Sequence, residues 1–140
     1  MTVVALVGAS GNFGQKVLPV FEADARITKI HSIARSRPAK PSASPKTTHL
    51  QADFADPHSL DSALQGCDVL VNVIGTNLDH MSSKGALVDA AVRARIKVYF
   101  PSEFGVDPHV DSEFIRHPMW DSKKAHDADA EKKGLKVIAV

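Results

Sequence analysis

Three glycines stand at positions 8, 11 and 14, directly after the apolar run Thr2–Val7. The spacing is G-x-x-G-x-x-G, and the chemistry it suits is the binding of a pyrophosphate. Gly8 lets the chain turn, Gly11 lets backbone approach a phosphate, and Gly14 lets a following helix pack closely on the strand. The first turn of that helix offers unpaired N–H groups and its positive end to an anion. Ser10 and Asn12 can add side-chain hydrogen bonds. The expected cradle is therefore Gly8, Ser10, Gly11, Asn12, Phe13 and Gly14, with a ligand-free glycine turn as the plainer account. A nucleoside-triphosphate loop does not fit, because no Gly-Lys-Ser/Thr ending is present.

A second group of residues would choose between dinucleotides. At the end of the next apolar run, an acidic residue would hold the ribose hydroxyls of NAD, whereas an arginine accommodates the 2′-phosphate of NADP. The residue there is Arg35, followed by Ser36, Arg37 and Lys40, with no Asp or Glu from position 34 to 46. A guanidinium grips phosphate in bidentate fashion, so the expected cofactor is NADP (NADPH); solvated loop charges are the alternative. Further on, Asp53 could reach an adenine amino group or simply cap a turn, and Phe54 could flank the ring. Val73, Ile74 and Gly75 close a fourth apolar run, and their backbone should line the middle of the cofactor.

These positions work together only if several strands end at one edge and helices start beside them. Thr2–Val7 is apolar almost throughout, the pattern of a strand covered on both faces. A helix is predicted over 12–23, burying Phe13, Val17, Leu18 and Phe21, with Pro19 as an awkward interior residue. A second strand is predicted over 29–34, anchored by Ile30 and Ile33. The stretch 35–46 holds three prolines, three serines and four basic residues and reads as a mobile loop. Thr47–Gln51 reads as a third strand. Asp56 caps a short helix with Pro57 at its first position. A fourth strand follows over 68–74, then a helix capped by Ser82 or Ser83, a fifth strand over 96–100, and an irregular stretch to Pro118. A light, Ala-rich helix with Trp120 over 119–133 ends at Gly134, before a final apolar strand. The predicted fold is α/β, a Rossmann-type doubly wound, mostly parallel sheet of about six strands.

Bulk properties agree with one such domain over residues 1–140. The chain has 140 residues, 44% of them hydrophobic, which suits a single core. A net charge of +1 argues against a nucleic-acid partner. One cysteine excludes a disulfide framework and any multi-cysteine metal site. No apolar run approaches the roughly 20 residues that span a bilayer, so no membrane partner and a cytoplasmic location are expected. The chain stops on the apolar segment 135–140, so it reads as the front of a longer protein, cut before its substrate-binding region.

The motif order VGASGNFG, Arg35 after strand two, ADFADPHSLDSALQGCDVLVNVIG over 52–75 and VYFPSEFG over 98–105 resembles one family. It is the NmrA-like and isoflavone-reductase-like branch, including phenylcoumaran benzylic ether reductases, of the atypical short-chain dehydrogenases. The resemblance covers essentially the whole chain. It implies the NADPH-binding half of a reductase that passes hydride to a small, often aromatic, substrate. It also implies a catalytic lysine in the last helix, which falls on Lys123 with Lys124 as the alternative. Ser102 and Glu103 are placed beside the nicotinamide and Phe104 over it. The same family includes regulators that sense the dinucleotide without turnover and act through a protein partner. As this chain alone, little or no catalysis is expected, because substrate positioning and desolvation are incomplete.

Other constellations are weaker. Asp107, His109, Asp111, His117 and His126 could approach a metal, but no zinc-protease helix pattern occurs and no metal site is expected. Ser102 lacks a Gly-x-Ser-x-Gly elbow, which argues against hydrolase chemistry. Cys67 reads as a small half-buried residue.

Overall fold

β1 (Thr2–Val7) divides its side chains between two cores, because successive residues of a strand face opposite ways. Val4 and Leu6 pack with Ile30 and Val71 on one face, where Val17, Leu18 and Phe21 cover them. Ala5 and Val7 pack on the other with Ile33, Leu70 and Tyr99. In this computed structural model, residues 1–38, 40–75, 78–105 and 118–140 are described, with residues 78–82 as backbone only. Around β1 lie β2 (Ile27–Ala34), β3 (Thr47–Gln51), β4 (Val69–Asn72), β5 (Val98–Phe100) and β6 (Lys136–Val137). The strand order is β3-β2-β1-β4-β5-β6, every pair parallel. That is the doubly wound sheet the sequence predicts, with its order reversing between β1 and β4.

Helix α1 (Gly14–Ala23) covers one face; α2 (Pro57–Leu64), α3 (Leu78–Arg93) and α4 (Pro118–Lys132) contribute buried residues to the other core. Asp56 caps α2 by accepting from the His58 N–H at 3.0 Å, with Pro57 leading the helix. Gly134 ends α4 as expected, the Leu135 N–H reaching back to the Ala130 carbonyl at 3.1 Å.

Several boundaries differ from the sequence reading, each for a local reason. Phe13 is not a buried helix residue: α1 begins at Gly14, and Phe13 precedes it with 42% of its surface exposed. β4 stops at Asn72 because its side-chain Oδ1 accepts the Ile74 N–H at 3.0 Å, which turns the strand end inward. α3 starts at Leu78, so neither Ser82 nor Ser83 caps it. β5 begins only at Val98, since Ile96 is used to close α3 by donating to the Ala91 carbonyl. Among its described residues the loop 35–46 has no regular element, as predicted, and it makes hydrogen bonds at Ser42, Ser44 and Lys46. The buried face of α4 is not mostly alanine: it presents Lys123, Asp127 and Ala130.

α1 sits hard against the end of β1. A Cβ on Gly14 would lie 2.6 Å from the Ala9 Cα and against the Gly8 carbonyl oxygen, so backbone would have to move. Gly85, inside α3, has no atom within 4 Å of such a Cβ. Gly14→Ala is expected to destabilise the fold by about 2–3 kcal/mol through overpacking. Gly85→Ala should stabilise it by about 0.5–1 kcal/mol through helix propensity. Urea denaturation of both variants checks the pair of opposite signs.

Candidate functional site

The turn after β1 is built by backbone. Gly8 takes φ +94°, a conformation that disfavours any side chain, and a Cβ there would also meet the Ile74 nitrogen at 3.0 Å. The Gly8 N–H donates to the Ile33 carbonyl at 3.1 Å, and the Gly11 N–H returns to the Gly8 carbonyl at 3.0 Å. Gln15 Nε2 donates to the Ser10 carbonyl at 2.8 Å, which braces the loop on α1. No side chain caps the N-terminus of α1, so its first turn is presented to whatever lies over the glycine loop.

Over this turn runs a cleft of about 200 Å³. It brings together Gly8, Ser10, Gly11, Arg35, Phe54, Val73, Ile74 and Gly75, all predicted, with Ala34 and Ser36, which were not. The cleft is at the carboxyl ends of β1, β2 and β4, across the point where strand order reverses. Lys40 lines a neighbouring hollow of about 520 Å³ that shares Ser10 and Ala34 with the cleft. Arg37 is exposed on the loop and lines neither hollow. Asp53 stays outside the cleft lining, and its Oδ1 accepts the Ala55 N–H at 2.9 Å, the turn-capping alternative. Asn12, Phe13 and Gly14 are likewise not among the lining residues. Phe13 instead packs on Phe104, ring centroids 4.6 Å apart, so the glycine loop touches the segment after β5.

That segment leads to a buried charged cluster. Glu103 is 2% exposed and stands between two ammonium groups, Lys123 Nζ at 2.8 Å from Oε2 and Lys84 Nζ at 3.3 Å from Oε1. Lys123 also donates to the Ser102 carbonyl at 3.2 Å, and Ser102 Oγ donates to the Ile74 carbonyl at 2.6 Å. Ile74 lines the cleft. One residue, Ser102, therefore separates the buried lysine from the cleft wall. Lys84 and Lys123 are 3% and 6% exposed, whereas Lys124 is only half-buried. Nearby, Asn72 Nδ2 donates to the Tyr99 hydroxyl at 3.4 Å. The Tyr99 hydroxyl also pairs with His126 Nε2 at 2.9 Å, the donor being set by the imidazole tautomer. Burial pushes the Tyr99 hydroxyl well above its usual range. Cys67, fully inside, is pushed up to about 11 by burial, then by Asp68, which makes it an inert thiol.

Sequence reasoning missed Asn72, Asp127 and the roles of Lys84, Tyr99 and His126. A signal was present. Lys84, Leu87, Val88 and Ala91 follow the i, i+3, i+4, i+7 spacing of one helix face, and Lys123, Asp127 and Ala130 fall at i, i+4 and i+7. A charge in such a stripe marks a buried ionic site. Asp107, His109, Asp111 and His117, weighed as metal ligands and set aside, lie outside the described residues. Among the described residues no three His, Cys, Asp or Glu side chains are grouped to hold a metal, and His126 is engaged by Tyr99. Among them, too, no helix is long and apolar enough to cross a membrane.

A glycine turn at the switch point of a doubly wound sheet, with a basic loop on one side, defines a dinucleotide-binding class of fold. The chain belongs to the NmrA-like family, whose family model matches residues 1–139. It is 34% identical over 115 residues to the isoflavone reductase homolog IRL of Zea mays, a match covering 74% of this chain and 36% of that protein. The chain thus spans about a third of that relative's length. Its fold is similar to Citrobacter triphenylmethane reductase complexed with NADP(H), with TM-score 0.80 and 19% identity over 97% of this chain and 48% of that one. It is also similar to the ternary complex of leucoanthocyanidin reductase from Vitis vinifera, with TM-score 0.78 and 23% identity over 98% and 45% of the two chains.

The His126 imidazole is pulled from its ordinary 6.5 to about 4, by burial first and the Lys84 ammonium second. In the unfolded chain it would bind a proton between those values while the folded protein refuses one. Its contribution to stability is therefore present above pH 6.5 and lost as pH falls toward 4. Urea midpoints measured from pH 7 to 4 should fall in the wild type and fall less in His126→Gln, whose side chain does not titrate.

Proposed function

We propose that this chain is the NADPH-binding part of a reductase that acts on a small, aromatic substrate. The observation that carries the reading is the hydrogen-bonded path from the cleft wall at Ile74 through Ser102 to the buried Lys123. It joins a phosphate-sized turn at one end to a positioned ammonium at the other. The residues fit the dinucleotide by their own geometry. Side chains at Gly8 and Gly14 would collide with backbone, and at Gly11 a Cβ meets only the Gly8 carbonyl at 3.3 Å. When bound, the reduced dinucleotide supplies the hydride.

The chain's own groups supply binding, orientation and a proton. The α1 N-terminus and the glycine loop would hold the pyrophosphate. Arg35, with Ser36 on the same cleft wall, would take the 2′-phosphate, with Lys40 approaching from the adjoining hollow. Phe54, 8% exposed, offers a flat apolar wall for the adenine. Lys123 holds a proton on Nζ and can stabilise negative charge that develops on a substrate oxygen. Glu103 fixes that ammonium in place, and its full burial keeps water from competing for the pair. Lys123 fits this role better than Lys124, which is only half-buried and forms no ion pair with Glu103 among the described residues. The NmrA-like family match and the NADP(H) complex of the Citrobacter reductase support the same reading.

Fluorescence titration of the chain with each nucleotide tests the binding half of the proposal. NADPH should bind more tightly than NADH, and tighter NADH binding would sink it. Arg35→Ala should weaken NADPH by about 10- to 100-fold, the worth of charge-assisted bonds to one phosphate, and leave NADH unchanged. In the whole protein, Lys123→Ala should lower kcat far more than NADPH affinity.

A further inference from the structure

The loop that carries Arg35, Arg37 and Lys40 has twelve residues, three prolines and, among its described residues, no regular element. Left alone, such a segment would sample many conformations and lose them on gripping a phosphate. One side chain of α1 holds it. Glu22 Oε1 accepts from the Ser42 hydroxyl at 2.5 Å and from the Thr47 hydroxyl at 2.6 Å. Both distances are those of charge-assisted hydrogen bonds. Ser42 is held from a second side, because its N–H donates to His49 Nε2 at 2.8 Å. A backbone N–H can only donate, so the neutral His49 ring carries its proton on Nδ1, which faces Ser32 Oγ at 3.1 Å. Ser42 Oγ in turn accepts the Ser44 N–H at 3.0 Å.

We propose that Glu22 is a positioning residue for cofactor selectivity: it latches the basic loop onto the helix whose first turn faces the pyrophosphate. This rests on the NADPH reading given above. Glu22 is on α1, Ser42 is in the loop, and Thr47 opens β3, so one carboxylate oxygen joins three segments. Glu22, Ser42 and Lys40 line the same hollow, which meets the dinucleotide cleft at Ser10 and Ala34. A carboxylate in that hollow repels a phosphate, so any help it gives to phosphate binding is geometric. That fixes the sign of the test. Removing Glu22 would raise NADPH affinity if its charge mattered most, and lower it if the latch does.

The experiment compares NADPH and NADH titrations of wild type, Glu22→Ala, Glu22→Gln and Ser42→Ala, with hydrogen exchange at the loop amides. Glu22→Ala should weaken NADPH about tenfold and leave NADH within about twofold, so the NADPH-to-NADH preference drops. Glu22→Gln, whose amide oxygen still accepts both hydroxyls, should keep most of the preference. Ser42→Ala should copy Glu22→Ala and covers the case in which the latter folds poorly, as a loss of NADH binding would reveal. An unchanged or increased preference in Glu22→Ala and Ser42→Ala would overturn the latch. If wild type binds neither nucleotide, the NADPH reading fails by itself. Exchange then still decides the latch: the Ser42 and Ser44 amides must exchange faster in Glu22→Ala, and equal rates would refute it.

Discussion

Backbone meeting backbone at the end of β1 is the contact on which the rest of the molecule depends. The start of α1 can approach the Gly8–Ala9 peptide only because Gly14 has no Cβ, and Gly8 can turn beside Ile74 only because it has none. This approach seats α1 on Val4, Leu6 and Ile30, and it aims the uncapped first turn across the ends of β1 and β4. Close packing and the presentation of the uncapped first turn are thus consequences of the same missing side chains. Apolar burial then secures the two cores on either side of the sheet, which is why β1 carries almost no polar residue.

The other end of the cleft is held by a different kind of force. α4 buries Lys123 and Asp127 where an ordinary amphipathic helix would bury leucine. Replacing a buried ion pair with apolar side chains is often neutral or stabilising, whereas removing one partner costs about 3–5 kcal/mol. Stability alone therefore does not account for Glu103 sitting between Lys84 and Lys123. Under the proposed function, an ammonium held at a set place beside the cleft does. The coupling runs both ways, since the same Glu103 that orients Lys123 also docks α4 on the strand end through it.

The order of strands and helices was legible because each apolar run is short, bounded by Gly, Pro or polar residues, and long enough for only one element. The glycine turn was legible for the same reason: its geometry depends on residues adjacent in sequence. Element ends were less so. The stop of β4 depends on the Asn72 side chain folding back to Ile74, and the start of α1 on where Phe13 finds Phe104, neither of which a periodic pattern encodes. For the loop after β2, composition correctly excluded regular structure but said nothing of Glu22, twenty residues before Ser42, as its tether.

From the amino acids in order come the doubly wound α/β plan, the glycine turn, the absence of acid near Arg35 and the strands that are buried on both faces. These follow from local sterics and from periodicity, which act over a few neighbouring residues. Folding in three dimensions alone decided that Lys84 of α3, Glu103 after β5 and Lys123 of α4 share one dry site, and that Asp53 turns to its own loop while Phe54 lines the cleft. Contacts across 19 and 20 positions of separation (103 − 84 and 123 − 103) depend on how the helices pack on the sheet, and no short-range preference of the chain specifies that.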